Sequence, residues 1–245
     1  MKSPQSSSVT AGIRSRQHYP RIEALPDAQR YLVACQSPES LPGTGQAAGN
    51  ARQQLQMHCQ LISTLLDQLG SHELAAPASA ASVSATPEPT SLSSAGLSSA
   101  ALSAGSASVD NARLHRWYDV DDRPKACDAL VGAISEIGVA GCLVIIGSEH
   151  FVWQVANLAQ QQGLLLDDMV MLPVAALGRH VFCVHCQQVS EHVIHSPAAC
   201  DGCGLMLEVR DHFSKRLGAY MGVRIDAEAP GEIPPQEEVA PCLAS

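Results

Sequence analysis

Residues 141–173 read GCLVIIGSEHFVWQVANLAQQQGLLLDDMVMLP, and this stretch decides the fold class. Leu143 to Ile146 form an unbroken apolar run, the pattern of a strand covered on both faces as in a parallel sheet. Ile146, Gly147 and Ser148 read as a tight turn, after which Phe151, Val155, Leu158 and Ala159 recur at helical spacing. A further turn and a second apolar run complete a strand, helix, strand unit. Outward from it, ARLHRWYDV at 112–120 reads as a strand. DDRPKACDALVGAISEIG at 121–138 reads as a helix that Asp122 can cap, with Pro124 near its first turn. RYLVAC, Arg30 to Cys35, is a short buried strand, and SPESLPGTGQAAGN after it is turn chemistry. Leu55, Cys59, Ile62, Leu65, Leu66 and Leu69 then mark an amphipathic helix over Ala51 to Leu69, stopped by Gly70. Alternating strands and helices predict a small α/β domain over residues 21–178 with a mainly parallel sheet and right-handed crossovers.

Composition narrows the function. A net charge of -9 argues against nucleic acid, whose phosphates demand a basic surface. No apolar run has the length of a membrane-spanning helix, and the first residues lack the apolar core of a signal peptide, so the expectation is a cytoplasmic protein. Residues 1–20 read as a disordered tail. Residues 75–109 are rich in Ser and Ala, with Glu88 as their only charge and no aromatic residue, and are expected to be a flexible insertion.

Nine cysteines, an odd number, are expected to be reduced thiols. Cys35, Cys59, Cys127 and Cys142 sit in apolar surroundings and read as small buried hydrophobes. The other informative group lies in HVFCVHCQQVSEHVIHSPAACDGCGLMLEVRDHF, where two C-x-x-C pairs, Cys183 with Cys186 and Cys200 with Cys203, are separated by thirteen intervening residues. Each pair offers two thiolates from one tight turn, as a zinc-ribbon-like module needs, between short strands at Val181 to Phe182, Val189 to Ile194 and Leu205 to Val209. Gly202 and Gly204 permit the sharp second knuckle. The region has few large apolar side chains, so an ion worth roughly 10 to 16 kcal/mol is the expected folding driver. Four thiolates close a structural zinc site and leave no position for substrate. Iron in a rubredoxin-like site is the alternative metal, although Gln187 stands where such a loop usually has glycine. Redox-sensing or simply buried thiols are the metal-free reading, and His185, His192 or His195 could replace a thiolate as ligand, though a surface position is expected of them.

From FCVHC through CDGCG to VRDHFSKRLGAYMGVRIDAEAPGEIPP, the chain resembles the DmmA-like subunit of bacterial dimethylamine monooxygenase; the likeness runs over roughly residues 140–235, and DHFSKRLGAYMGV is its most specific block. That resemblance implies an accessory subunit without its own active site, in a multi-subunit NAD(P)H-dependent complex of methylated-amine degradation. Such a complex converts dimethylamine and oxygen to methylamine and formaldehyde. Haem would sit on a demethylase subunit, and flavin and an iron-sulfur cluster on a reductase subunit. More weakly, RYLVAC, the GTG of Gly43 to Gly45, and IIGSEHFVWQV are similar to the nicotinamide-binding half of ferredoxin reductases. The chain departs from those enzymes at Ile146, Gly147 and Ser148, where they carry Cys-Gly-Pro. It has about thirty residues before the first strand, too few for a flavin barrel, and no plant-type iron-sulfur spacing. A degenerate dinucleotide-binding fold is expected, with electron transfer by a rubredoxin-like four-cysteine iron or a residual nicotinamide site as the alternative function.

Four further groups remain. Gly43 and Gly45 form a weak phosphate-loop motif, read preferentially as loop glycines. Glu149 and His150 lie where α/β folds place ligands, with an N-terminal capping role preferred for Glu149. Asp211 and His212 are a weak acid-base pair. Arg210, Lys215, Arg216 and Tyr220, read as lying on one short element, are expected to dock a partner subunit. The four-cysteine module is placed at residues 179–223. Residues 224–245, with Asp226, Glu228, Glu232, Glu237 and Glu238 among prolines, are placed as an extended acidic tail whose first half lies along a partner.

Overall fold

The computed structural model describes residues 17–41, 45–73, 113–121, 123–138, 140–175 and 178–239. Asp122, Gly43, most of the expected N-terminal tail, the Ser/Ala-rich stretch at 75–109 and residues 240–245 lie outside the described residues.

Five strands form the first sheet: β1 Arg30–Gln36, β2 Ser71–Glu73, β3 Arg113–Val120, β4 Gly141–Ser148 and β5 Met169–Val174. Their order is β2-β3-β1-β4-β5, and every pairing is parallel. The expected α/β class and parallel sheet are therefore present. Strand β4 is buried at all eight positions because it lies inside the sheet with helices on both faces. Alternate side chains sort the core into two layers. Tyr31, Val33, Val144 and Ile146 pack with Leu55, Ile62 and Leu66 of helix α1, Gly45–Gln68. Leu32, Ala34, Leu143 and Ile145 pack with Leu130 and Ile134 of α2, Asp128–Glu136, and with Phe151, Val152 and Val155 of α3, Glu149–Gln161.

Three local expectations are corrected. Helix α1 begins at Gly45, not Ala51, because Ala48 and Ala51 bury small faces against the sheet and carry the helix through the segment expected to be a turn. Gly147 is a residue of β4, not of a turn: a Cβ there would lie 2.5 Å from Phe151 and 2.8 Å from Gln36, so the glycine permits close packing at the strand end. The α2 region opens with a 3-10 turn at Pro124–Ala126, and the α-helix starts only at Asp128. Gly70 adopts a φ of +68° and closes α1 as its sequence position requires.

The remaining chain folds into β6 Arg179–Cys183, β7 Val189–Val193, β8 His195–Ser196, β9 Ala198–Ala199, β10 Met206–Ser214, β11 Ala219–Arg224 and β12 Glu237–Glu238. A second sheet has the order β7-β6-β11-β10-β9, with β6 and β11 parallel and the other neighbours antiparallel. Its own apolar cluster is small: Val181, Cys183, Cys200 and Leu207 are buried, with a few half-buried neighbours. The aromatic residues Phe213 and Tyr220 belong instead to the layer beneath α3, beside Phe151 and Trp153. The two sheets thus share one core. No described helix is long and apolar enough to cross a membrane.

Candidate metal centre

Each C-x-x-C pair sits on a knuckle with the same backbone scheme. In the first, the Gln187 N–H donates to the Cys183 carbonyl and the Cys183 N–H to the Gln188 carbonyl, both at 2.9 Å. In the second, the Gly204 N–H donates to the Cys200 carbonyl and the Cys200 N–H to the Leu205 carbonyl, again at 2.9 Å. The residue after each second cysteine has left-handed backbone, Gln187 at φ 64° and Gly204 at φ 71°. Gln187 therefore takes the conformation a glycine would take, and the first knuckle forms without one. A Cβ on Gly202 would lie 3.0 Å from the Cys186 sulfur, so the second knuckle needs a glycine for close approach.

The two knuckles bring all four sulfurs within 4.8 Å of one another. Cys183 Sγ lies 3.9 Å from Cys203 Sγ, and Cys186 Sγ 3.5 Å from Cys200 Sγ. A tetrahedral ion with metal–sulfur bonds of about 2.3 Å sets its ligands roughly 3.8 Å apart, so the donor set fits a closed four-thiolate site. Cys183 and Cys200 are buried, Cys203 is half-buried and Cys186 is exposed, so one side of the site reaches the surface. Burial opposes ionisation of Cys200, but N–H groups of Cys203 and Gly202, with the Cys186 and Cys183 thiols, outweigh it and lower its pKa to about 6. That polarity favours thiolate, the form a metal takes. His185 and His192 are exposed and His195 half-buried, and none joins the cluster of four.

A second constellation ties the module to the first sheet. Glu149, 3% exposed, accepts hydrogen bonds from Tyr19 and Tyr220 hydroxyls, each at 2.9 Å. The Trp153 indole N–H donates to the Tyr19 oxygen at 2.8 Å. The N-terminus of α3 is capped by Ser148, whose Oγ accepts from the Phe151 N–H, so the cap expected of Glu149 falls to its neighbour. Tyr220, expected to dock a partner, is 2% exposed and internal, with the Arg179 guanidinium 4.2 Å above its ring. Asp211 pairs with Arg179 at 2.7 Å. Arg210, Lys215 and Arg216 do not share one element with Tyr220: Arg210 is on β10, the other two are in the β10–β11 turn, and Lys215 Nζ lies 5.0 Å over Trp153.

His150 Nδ1 lies 2.8 Å from the Gly218 carbonyl, which fixes the proton on that nitrogen and leaves Nε2 to accept from the Gln154 amide. Its ring stacks on His180 at 3.7 Å, and His192 meets His180 edge-on at 5.6 Å. These imidazoles line a 410 Å³ cleft with Gln36 and Ser148, the last residues of β1 and β4. The helices after those two adjacent strands leave on opposite faces, so the cleft occupies a topological switch point. Beyond Asp226, the tail returns to its own chain: Gln236 donates to the Pro197 carbonyl at 2.8 Å, and β12 pairs with β8. Sequence reasoning missed the Tyr19, Glu149 and Tyr220 network because its members lie 130 and 71 residues apart, and no local pattern marks them.

Fold and site together define the class: a parallel α/β domain joined through a shared core to a four-cysteine β module. Residues 180–223 match the family described as dimethylamine monooxygenase subunit DmmA-like, C-terminal domain. The chain is also 48% identical, over 84 residues, to the heme-dependent oxidative N-demethylase delta subunit of Ectopseudomonas mendocina (strain ymp). That alignment covers 34% of this chain and 48% of the relative, so the chain spans about half the length of the relative it matches. No solved structure matches. The DmmA-like resemblance carried by the cysteine knuckles and the DHFSKRLGAYMGV block is borne out.

Proposed function

We propose that this chain is a non-catalytic accessory subunit of a multi-subunit, NAD(P)H-dependent N-demethylase that converts dimethylamine and oxygen to methylamine and formaldehyde. Cys183, Cys186, Cys200 and Cys203 hold a structural zinc ion that fixes the second sheet, and the module adopts a zinc-ribbon-like arrangement. Haem resides on a demethylase subunit, and flavin and an iron-sulfur cluster on a reductase subunit. The supporting observation is the pairing of a closed four-sulfur donor set with a module related to the delta subunit of an oxidative N-demethylase. A closed coordination sphere offers no position for substrate or oxygen, so the ion serves architecture.

Co-expression with the neighbouring subunits tests this reading. A colourless chain with one zinc that co-purifies with haem and flavin subunits, and whose omission lowers dimethylamine turnover, is the expected result. A red chain with a reversible one-electron couple would replace it with a rubredoxin-like carrier. The cleft at the ends of β1 and β4 favours a second reading, a residual nicotinamide site in a degenerate reductase-like domain. Calorimetric titration of the chain with NADPH separates the two.

A further inference from the structure

Cys35 and Cys59 read from sequence as independent buried hydrophobes, but the fold brings them together. Cys35 is the penultimate residue of β1 and Cys59 lies in the second half of α1. Their sulfurs are 3.2 Å apart, closer than two sulfur atoms in ordinary contact and roughly 1 Å beyond a disulfide bond. Both are half-buried free thiols. They open onto a 650 Å³ cavity also lined by Arg52, Gln56, Trp117 and Asp119, so a small reagent can reach them. Among the described residues no third ligand completes a metal site here; the four-cysteine cluster alone meets that requirement.

We propose that Cys35 and Cys59 form a redox-active dithiol, which hydrogen peroxide oxidises reversibly to a disulfide clasping β1 to α1. Either sulfur can donate across this contact; donation by Cys35 lowers the Cys59 pKa, while the same bond and burial raise that of Cys35. Cys59 is therefore the attacking sulfur. Its thiolate takes one oxygen from the peroxide, cleaving the O–O bond, to give a sulfenic acid and hydroxide. The Cys35 sulfur then attacks the sulfenic sulfur, the S–S bond forms, and the sulfenic oxygen leaves as water with the Cys35 proton. Overall the two thiols lose two electrons and two protons, and one peroxide becomes two waters. A dithiol reductant reverses the change.

The test uses the full zinc-loaded chain. Trypsin cuts after Arg30, Arg52 and Arg113, placing the two cysteines on separate peptides, 31–52 and 53–113. After mild peroxide treatment and alkylation, mass spectrometry is expected to find these peptides joined, two hydrogens lighter than their sum, with zinc content unchanged. Dithiothreitol restores both. Trp117, which lines the same cavity, reports the change as quenched fluorescence. In Cys35→Ser the joined peptide is lost and Cys59 accumulates as a sulfenic acid that dimedone labels; in Cys59→Ser both signals are lost. Separate alkylation of both peptides after peroxide, or joining of either cysteine to one of the quartet, overturns the proposal. A glutathione redox titration of the unsubstituted chain, followed by the joined peptide, decides the matter even if a variant does not fold.

Discussion

The Tyr220 hydroxyl of β11 donates to the buried Glu149 carboxylate at the start of α3, across 2.9 Å and 71 residues of sequence. One bond thereby connects the last strand of the cysteine module to the first turn of a helix in the parallel domain. Removing it takes one donor away from a buried carboxylate. Tyr220→Phe keeps the ring beneath Arg179 and is expected to cost about 1 to 3 kcal/mol, read from the urea midpoint.

His180 gives the protein a stability profile that falls in acid. Burial first, then His150 and His192, lower its pKa from 6.5 to about 3, so it is neutral in the fold. The unfolded chain binds its proton near 6.5, so between these values the unfolded state carries the extra proton. The contribution of neutral His180, complete above 6.5, is lost as pH falls towards 3, at up to about 1.4 kcal/mol per pH unit. Urea denaturation across this window should show that slope, and His180→Asn should remove it while leaving the slopes of other groups.

The quartet makes a prediction about metal content. On the proposed zinc assignment, Cys183→Ser or Cys200→Ser removes a sulfur from the buried side of the site and is expected to drop zinc from one per chain to well below it, with loss of cooperative unfolding of the second sheet. Acid should release the ion even from the unsubstituted chain, since each ligand binds as thiolate and protons compete. Elemental analysis after dialysis at stepped pH measures both.

Gln187 carries backbone strain that a glycine would relieve. A left-handed non-glycine residue costs roughly 1 to 2 kcal/mol, against about 0.5 to 1 kcal/mol of added chain entropy for glycine. Gln187→Gly should raise stability by up to about 1 kcal/mol and leave the metal stoichiometry at one, measured by thermal unfolding with metal analysis.

Gly147→Ala tests the strand end in the opposite direction. Its Cβ would overlap Phe151 and Gln36, so a loss of roughly 1 to 3 kcal/mol is expected in urea unfolding.

Where the sequence is legible, a single period or spacing carries the signal. The run Leu143 to Ile146 announces a doubly covered strand, and the paired C-x-x-C spacing announces the sulfur cluster, because both are local patterns with one economical structural solution. Helix α1 extends further than its apolar period marks, because Ala48 and Ala51, small residues beside Gly49, give little hydrophobic signal although they lie against the sheet. Gly147 resembles a turn residue because glycine marks both a bend and a close approach, and only the neighbouring Gln36 and Phe151 distinguish them. The Tyr220 and Cys35–Cys59 relationships depend on tertiary pairing, for which a lone sequence holds no trace. The chemistry that makes Tyr220 look like a docking residue also makes it useful inside: an aromatic ring with a polar tip can close a buried gap and satisfy a carboxylate.

Phe213 and Tyr220 lie within the segment that matches the DmmA-like C-terminal domain, yet they complete the layer beneath α3. The matched segment is consequently smaller than the folding unit. Excised at its family boundaries, the segment would turn two aromatic rings to water and tend to self-associate. In this chain the parallel domain supplies the apolar seat for those rings.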